Sequence, residues 1–157
     1  MIKRKFVQFF LCLYCVAAAS NGAAATIVVT DFEDVNFGDL PPTSQTVRQR
    51  VSLCVSATPA GPYRITGVGL PTGQFELLNG AGEAIPYAVY ASRGRGRLGR
   101  ELTPASPLPR FFARRPHPNG LCRPPRLWLT VLVDETELQQ ASGGEYGGTL
   151  QLTVSPE

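Results

Sequence analysis

Histidine is nearly absent from this sequence of 157 residues, which contains only His117. A zinc site usually takes four ligands from cysteine, histidine and carboxylate side chains. His117 lies between Pro116 and Pro118, and no serine in a strand-to-helix elbow accompanies it. Neighbouring carboxylates such as Asp134 and Glu135 point to opposite faces of an extended chain. We therefore expect no catalytic residues, no metal and no cofactor, and the chain is not predicted to be an enzyme.

Long apolar runs are also missing. The longest one, Phe6–Ala19, is shorter than the ~20 residues of a membrane-spanning helix and is interrupted by Gln8. It follows the basic residues Lys3–Lys5 and precedes three small residues, Ala23–Ala25, which is the pattern of a cleaved secretory signal. The sequence thus predicts a signal peptide over 1–25 and an exported protein.

The predicted mature chain, 26–157, is long enough for one domain but not two. It contains few cysteines. Cys12 and Cys15 leave with the signal, so that Cys54 and Cys122 remain. In an exported protein such an isolated pair is most simply one disulfide. Two free thiols or a metal pair are the alternatives.

Helix-length periodicity is missing from almost the whole chain, and only "DETELQQAS" predicts a single helical turn. Short segments bounded by turn residues are instead typical of β-strands. The seven segments are "TIVVTDFEDVNFG", "TVRQRVSLCV", "PYRITGVG", "GQFELLN", "IPYAVYA", "RLWLTVLV" and "GGTLQLTV". They predict an all-β antiparallel sandwich or barrel. The last segment alternates so regularly that it must pair with another strand, inside or outside the chain.

Residues 93–126 contain most of the arginines beyond the signal, many prolines and a single acid, Glu101. Proline removes ladder donors and charge resists burial, so we expect a long irregular insertion between two strands. It could be a solvated loop, a contact for an anionic surface, or a docking site for another subunit. For an exported protein, an anionic polysaccharide or lipid is a more natural partner than nucleic acid. The candidate contact residues are Arg93, Arg95, Arg97, Arg100, Arg114 and Arg115.

Gly94, Gly96 and Gly99 match the G-x-G-x-x-G pattern of dinucleotide sites. That pattern needs a helix after the glycines, and Pro104 and Pro107 argue against one. We therefore interpret the glycines as part of a flexible loop.

Four segments together resemble a pilin domain of the chaperone-usher class, most closely the archaic Csu and spore coat protein U type. They are "VNFGDL", "VRQRVSLCVS", "LLNGAGEAIPYAVYAS" and "SGGEYGGTLQLTVSP". The resemblance implies an immunoglobulin-like sandwich that lacks its last strand and so has an open apolar groove. The groove residues it implies are Ile27, Val29, Leu150, Leu152 and Val154.

The partners that the resemblance implies are a periplasmic chaperone, an outer-membrane usher and other pilus subunits. A neighbouring subunit would add its N-terminal strand to the groove, and the protein would move from the periplasm to a cell-surface pilus. If "TIVVTDFEDVNF" is the first strand, no donor segment precedes it and the chain is a tip or initiating subunit. If "TIVVTDF" is the donor segment, the chain is a shaft subunit. The alternative is a self-contained secreted sandwich that binds an anionic ligand through its arginine-rich loop.

Overall fold

The computed structural model of the chain describes residues 25–30, 35, 45–119, 122 and 126–157. Nearly all of the predicted signal peptide and most of the "VNFGDL" segment lie outside these residues. The described residues form eleven strands and one helix: β1 Thr26–Thr30, β2 Val47–Thr58, β3 Gly61–Leu70, β4 Glu76–Asn79, β5 Ala84–Pro86, β6 Ala88–Ser92, β7 Arg100–Leu102, β8 Leu108–Ala113, β9 Leu127–Val133, α1 Glu135–Gln140, β10 Tyr146–Gly147 and β11 Thr149–Pro156.

The strands form antiparallel sheets, which confirms the prediction of an all-β sandwich. The largest sheet has the order β1-β2-β9-β6-β7, and a second sheet has the order β11-β3-β8. A small third sheet, β10-β4-β5, adjoins them. Each of the seven segments predicted to be strands contains at least one strand.

A single core lies between the sheets, because every second side chain of the long strands points inward. Leu129 of β9 and Leu150 of β11 are each 1% exposed, as is Ile65 of β3. Burying such a side chain stabilises the fold by roughly 1.5–3 kcal/mol. The predicted helical turn is α1, and the side chain of its N-cap residue, Asp134, accepts a hydrogen bond from the backbone N–H of Thr136 at 3.1 Å.

The prediction that 93–126 is wholly irregular was wrong, because β7 and β8 lie within it. Leu102, Phe111 and Ala113 point inward and are almost fully buried, so the segment does contribute to the core. Both strands lie at sheet edges. Edge positions tolerate proline such as Pro109, because a missing N–H on the outer side costs no ladder hydrogen bond.

The three glycines of the G-x-G-x-x-G pattern lie in the turn of a β-hairpin. Ala91 of β6 pairs with Arg100 of β7, so that a strand and not a helix follows Gly99. Gly99 has a φ of +96°, and a Cβ there would lie 2.3 Å from the carbonyl oxygen of Ala91. Glycine is therefore required at this position by the hairpin itself.

Candidate functional site: an unpaired strand edge and an arginine surface

Strand β11 has one paired and one unpaired edge. It pairs with β3 along its whole length, from Thr149 opposite Leu70 to Pro156 opposite Tyr63. Within the described residues, no strand pairs with its other edge, and the same holds for the outer edge of β1. Strands β1 and β11 contact each other. The two unpaired edges therefore lie on the same side of the sandwich.

The strand order corresponds to that of an immunoglobulin constant-type domain, in which one sheet has the order A-B-E-D and the other C-F-G. Strands β1, β2, β9 and β6 take the places of A, B, E and D, and the adjacent pair β3 and β11 takes the places of C and F. Strand G would pair with F along the edge of β11 that is unpaired among the described residues. An added strand at this edge would therefore complete the immunoglobulin arrangement.

A tyrosine in the short strand that precedes β11 supports this correspondence. The Tyr146 hydroxyl donates to the carbonyl oxygen of Ser142 at 3.1 Å, which is the hydrogen bond of the tyrosine corner before strand F. The same hydroxyl lies 3.2 Å from the Glu83 carboxylate. Hydrogen bonds from Ser142, Asn79 and Tyr146 hold the pKa of Glu83 below its usual value. These contacts connect the segment that precedes β11 to the β4–β5 hairpin.

The predicted groove residues divide into two groups. Leu150 and Leu152 are 1% and 5% exposed, so the expectation that they line an open groove is corrected by the structure. They lie opposite Gly69 and Gly67 of β3, where a side chain would collide with Gln74 or with Leu102 and Phe75, so the core around both leucines is filled. Only Ile27, Val29 and Val154 remain partly exposed at its margin.

The predicted disulfide between Cys54 and Cys122 is confirmed. Cys54 lies on β2, and Cys122 belongs to the segment between β8 and β9. The bond spans a sequence separation of 68 residues. Closing a loop of this length in the unfolded chain stabilises the fold by about 4 kcal/mol in the loop-entropy treatment.

Two of the predicted contact arginines cover a buried aromatic pair. The guanidinium groups of Arg93 and Arg100 lie 5.9 and 4.9 Å from the centre of the Phe111 ring. They donate hydrogen bonds to the carbonyl oxygens of Arg110 and Pro109, respectively, on β8. Phe111 in turn stacks on Tyr63 with a centroid distance of 5.5 Å. These two arginines thus connect the edges of the two sheets.

Burial of Tyr63 in that pair raises its pKa to about 12, while the positive charge of Arg93 acts in the opposite direction. The phenol is therefore neutral at physiological pH, and Arg93 acts as its cover and not as its ion-pair partner. The guanidinium groups of Arg93 and Arg100 are accordingly committed to the fold.

Arg114 and Arg115 lie apart from Arg93 and Arg100. The backbone of Arg114 forms a bridge to Ser56, and the carbonyl oxygen of Arg114 accepts a hydrogen bond from the N–H of Ala57 at 2.9 Å. Four residues of strand, about 13 Å, separate Arg114 from Arg110. The predicted arginine cluster is therefore at least two separate groups. Arg97 lies in the hairpin turn, where its N–H donates to Gly94 at 3.4 Å.

Arg95 belongs to a third group of arginines, whose other members the sequence did not reveal. Its guanidinium lies 5.9 Å from the centre of the Trp128 ring, on the outer face of the large sheet. Two arginines that were not among the predicted contact residues lie near it. Arg50 donates a hydrogen bond to the carbonyl oxygen of Arg95, and Arg126 donates one to the hydroxyl of Ser52. The alternation of Arg50 and Trp128 with buried neighbours indicates outward side chains, but only the strand register brings them together.

His117 is half-buried after β8, and its Nδ1 accepts a hydrogen bond from the N–H of Asn119 at 3.4 Å. In the described part of the chain, no three histidine, cysteine or carboxylate residues lie close enough to hold a metal ion. No helix among residues that the structure describes has the length and apolar character needed to cross a membrane.

Comparison with known proteins adds no relative: no protein-family model matches the chain, and no curated protein is significantly similar to it. The functional argument therefore depends on the geometry of the chain itself.

Proposed function

We propose that this chain is an exported pilus subunit of the chaperone-usher class, which accepts a strand from a neighbouring subunit along β11. The observation that carries the proposal is the edge of β11 that has no partner among the described residues, at the position of strand G. An unpaired edge presents main-chain donors and acceptors to any strand that approaches it. Strand addition at such an edge is an established mode of recognition.

The sequence supports the compartment and the partners of this proposal. A secretory signal over 1–25 would deliver the chain to the periplasm, and the Cys54–Cys122 disulfide suits an oxidising compartment. A periplasmic chaperone would protect the edge before an outer-membrane usher brings the next subunit. Residues Thr26–Thr30 pair with β2, which is the arrangement that a tip or initiating subunit would have.

The burial of Leu150 and Leu152 limits what an added strand would gain. Since both leucines are already covered, the strand would gain mainly from main-chain hydrogen bonds, each worth about 1 kcal/mol net. It would also cover Ile27, Val29 and Val154 at the margin of the core. We therefore expect a stabilisation of a few kcal/mol and not the rescue of an unfolded chain.

The test measures the melting temperature of the purified protein with synthetic donor-strand peptides. The peptides copy residues 26–35 and the N-terminal segments of exported proteins encoded beside this one. One of them should raise the melting temperature, and a version with proline at alternate positions should not, because proline cannot donate to a ladder.

A matched pair of variants examines the position of binding. Val154→Glu places a charge at the margin that the strand would cover, whereas Thr153→Glu places it at the exposed neighbouring position, which faces the opposite side. The peptide effect should disappear in the first variant and persist in the second. A protein that folds alone and responds to none of the peptides would refute the proposal.

A second function is favoured by the closed core. The burial of Leu150 and Leu152 supports a complete secreted β-sandwich module that binds an anionic ligand through arginine side chains. A well-folded monomer that ignores donor peptides but binds a polyanion would establish this function in place of the first.

A further inference from the structure

The outer face of the large sheet carries a tryptophan surrounded by polar side chains. Trp128 of β9 pairs with Ser52 of β2 on one side and with Ser92 of β6 on the other. Paired residues of antiparallel strands point to the same face. The indole ring therefore lies between two hydroxyl groups, on the face opposite to the core residues Leu127 and Leu129.

Three guanidinium groups lie around this tryptophan. That of Arg95 lies over the ring, while Arg50 donates from Nε to the hydroxyl of Thr130 at 3.2 Å and from another nitrogen to the carbonyl oxygen of Arg95. Arg126 donates to the Ser52 hydroxyl at 3.2 Å. We call this set the tryptophan–arginine patch; it comprises Arg50, Ser52, Ser92, Arg95, Arg126 and Trp128.

The arginines of the patch are held in place before any ligand arrives. Arg95 is oriented by the ring of Trp128, and Arg50 by its bonds to Thr130 and to the hairpin loop. Arg50 uses only two of its N–H groups in these bonds, and a guanidinium has further donors in a planar fork that fits an oxyanion. Pre-organised side chains lose little conformational entropy when they bind. The geometry thus favours binding over a merely solvated surface.

The patch is locally positive although the predicted mature chain is close to neutral. Among the described residues of this sheet face, the acid Glu101 pairs with Tyr90 on β6. It lies two strands from β9, which is about 10 Å. The positions immediately around Trp128 carry hydroxyl and guanidinium groups. The Ser92 hydroxyl is buried and donates to the carbonyl oxygen of Gly94, so the donors that an anion meets near Trp128 are the guanidinium groups.

We propose that the tryptophan–arginine patch binds the carboxylate or sulfate groups of an acidic polysaccharide. The Arg126 guanidinium contacts Ser52, which is two residues from Arg50 on β2, or about 7 Å; this row of cations suits successive charges on a linear polymer better than one small anion. Nucleic acid is disfavoured, because Arg95 covers the indole face on which a base would stack. The patch lies on the sheet that does not contain β11, so it can be occupied whether or not β11 accepts a strand.

Trp128 can serve as an intrinsic fluorescence probe, because it is the only tryptophan in the chain. A ligand that displaces or moves Arg95 should change the tryptophan emission. We would titrate the purified protein with polygalacturonate, dextran sulfate and neutral dextran, and repeat each titration with single-stranded DNA. Saturable changes with a charged polysaccharide, none with neutral dextran and weaker binding of DNA are expected.

The variants separate the patch from general charge. Arg50→Gln combined with Arg95→Gln should weaken polysaccharide binding at least tenfold. Arg114→Gln combined with Arg115→Gln removes the same charge beside Ser56, four strand residues or about 13 Å from Ser52, and should change binding less than twofold. Arg95→Gln alone keeps the backbone carbonyl that Arg50 contacts, and it provides a folded variant if the double one fails to fold. Arg95→Lys should restore only part of the affinity, because lysine lacks the planar fork.

Three results would overturn the proposal. Equal losses in the two double variants would show general charge attraction, and equal or tighter binding of DNA would make nucleic acid the ligand class. Unchanged emission with every polymer, in a protein with a cooperative melting transition, would show that the patch only stabilises the hairpin. A donor peptide should leave polysaccharide binding unchanged, so failure here is distinguishable from failure of strand addition.

Discussion

Replacement of the buried leucines of β11 by alanine tests whether the sandwich is closed. Leu150 and Leu152 are 1% and 5% exposed, and the β3 residues opposite them are glycines. Glycine has no side chain that could move into the vacated space, and the side chains of Phe75 and Leu102 are already packed against Gly67, so part of the cavity should remain. Leucine-to-alanine changes in cores cost about 2–5 kcal/mol, more when the site cannot collapse. We therefore expect each change to cost about 3 kcal/mol or more.

Urea unfolding of the isolated protein, without chaperone or peptide, measures this cost through the midpoint and slope of the transition. Val154→Ala is the matched control, because Val154 lies on the same strand but only partly buried at the margin. Its cost should stay near 1 kcal/mol or below. In a thermal scan the leucine variants should melt about 10 °C lower than the parent chain.

The refuting result is a cost below about 1 kcal/mol for both leucine variants in the isolated protein. That result would mean that the leucines are solvated when the chain is alone. The open groove expected from the pilin resemblance would then replace the closed core. If the leucine variants lose much stability and a donor peptide restores it, both the closed core and the open groove would be contradicted. The leucines would then not depend on their present neighbours for stability.

Two further changes examine the disulfide and a carboxylate network. Cys54→Ser with Cys122→Ser opens a loop of 68 residues and should lower the free energy of unfolding by about 4 kcal/mol. Reductant added to the parent chain should have the same effect. A loss under about 1 kcal/mol would contradict the disulfide. Hydrogen bonds from Ser142 and two other side chains lower the pKa of Glu83. The contribution of Glu83 to stability is complete above pH 4.5, the ordinary pKa of a glutamate. It is lost as the pH falls through the lower pKa of the folded state. Between about pH 5 and pH 3 the parent chain should therefore lose more stability than Glu83→Gln; parallel curves would contradict this.

The sequence predicted those parts of the fold that depend on local patterns. Strands β2 and β11 place apolar residues at every second position, and this period of two is visible in the sequence without knowledge of any partner strand. The end of β9 and the start of α1 are marked by Asp134, whose side chain caps the helix. The cysteine pair was predictable by elimination, since only Cys54 and Cys122 remain beyond the predicted signal peptide.

Strands β7 and β8 could not be predicted, because their stability depends on contacts across the sandwich. In isolation, "LPRFFA" contains a proline and an arginine, which argue against a strand. In the fold, Phe111 stacks on Tyr63 and is covered by Arg93 and Arg100. The cost of charge at this edge is offset by hydrogen bonds to β8 carbonyl oxygens. Such compensation involves residues far apart in sequence.

The arginines show why composition alone does not assign a surface. Arg100 and Arg95 both lie over an aromatic ring, yet the ring under Arg100 belongs to Phe111, which is 2% exposed, whereas Trp128 is partly exposed on an outer sheet face. An arginine over a buried ring covers the core and is held to β8 by a hydrogen bond to a backbone carbonyl oxygen. An arginine over an exposed ring is fixed but can still bind an anion. The side of the sheet, set by register, therefore separates a structural arginine from one available to a ligand. On this argument, loss of Arg100 should lower stability and loss of Arg95 should lower polyanion affinity.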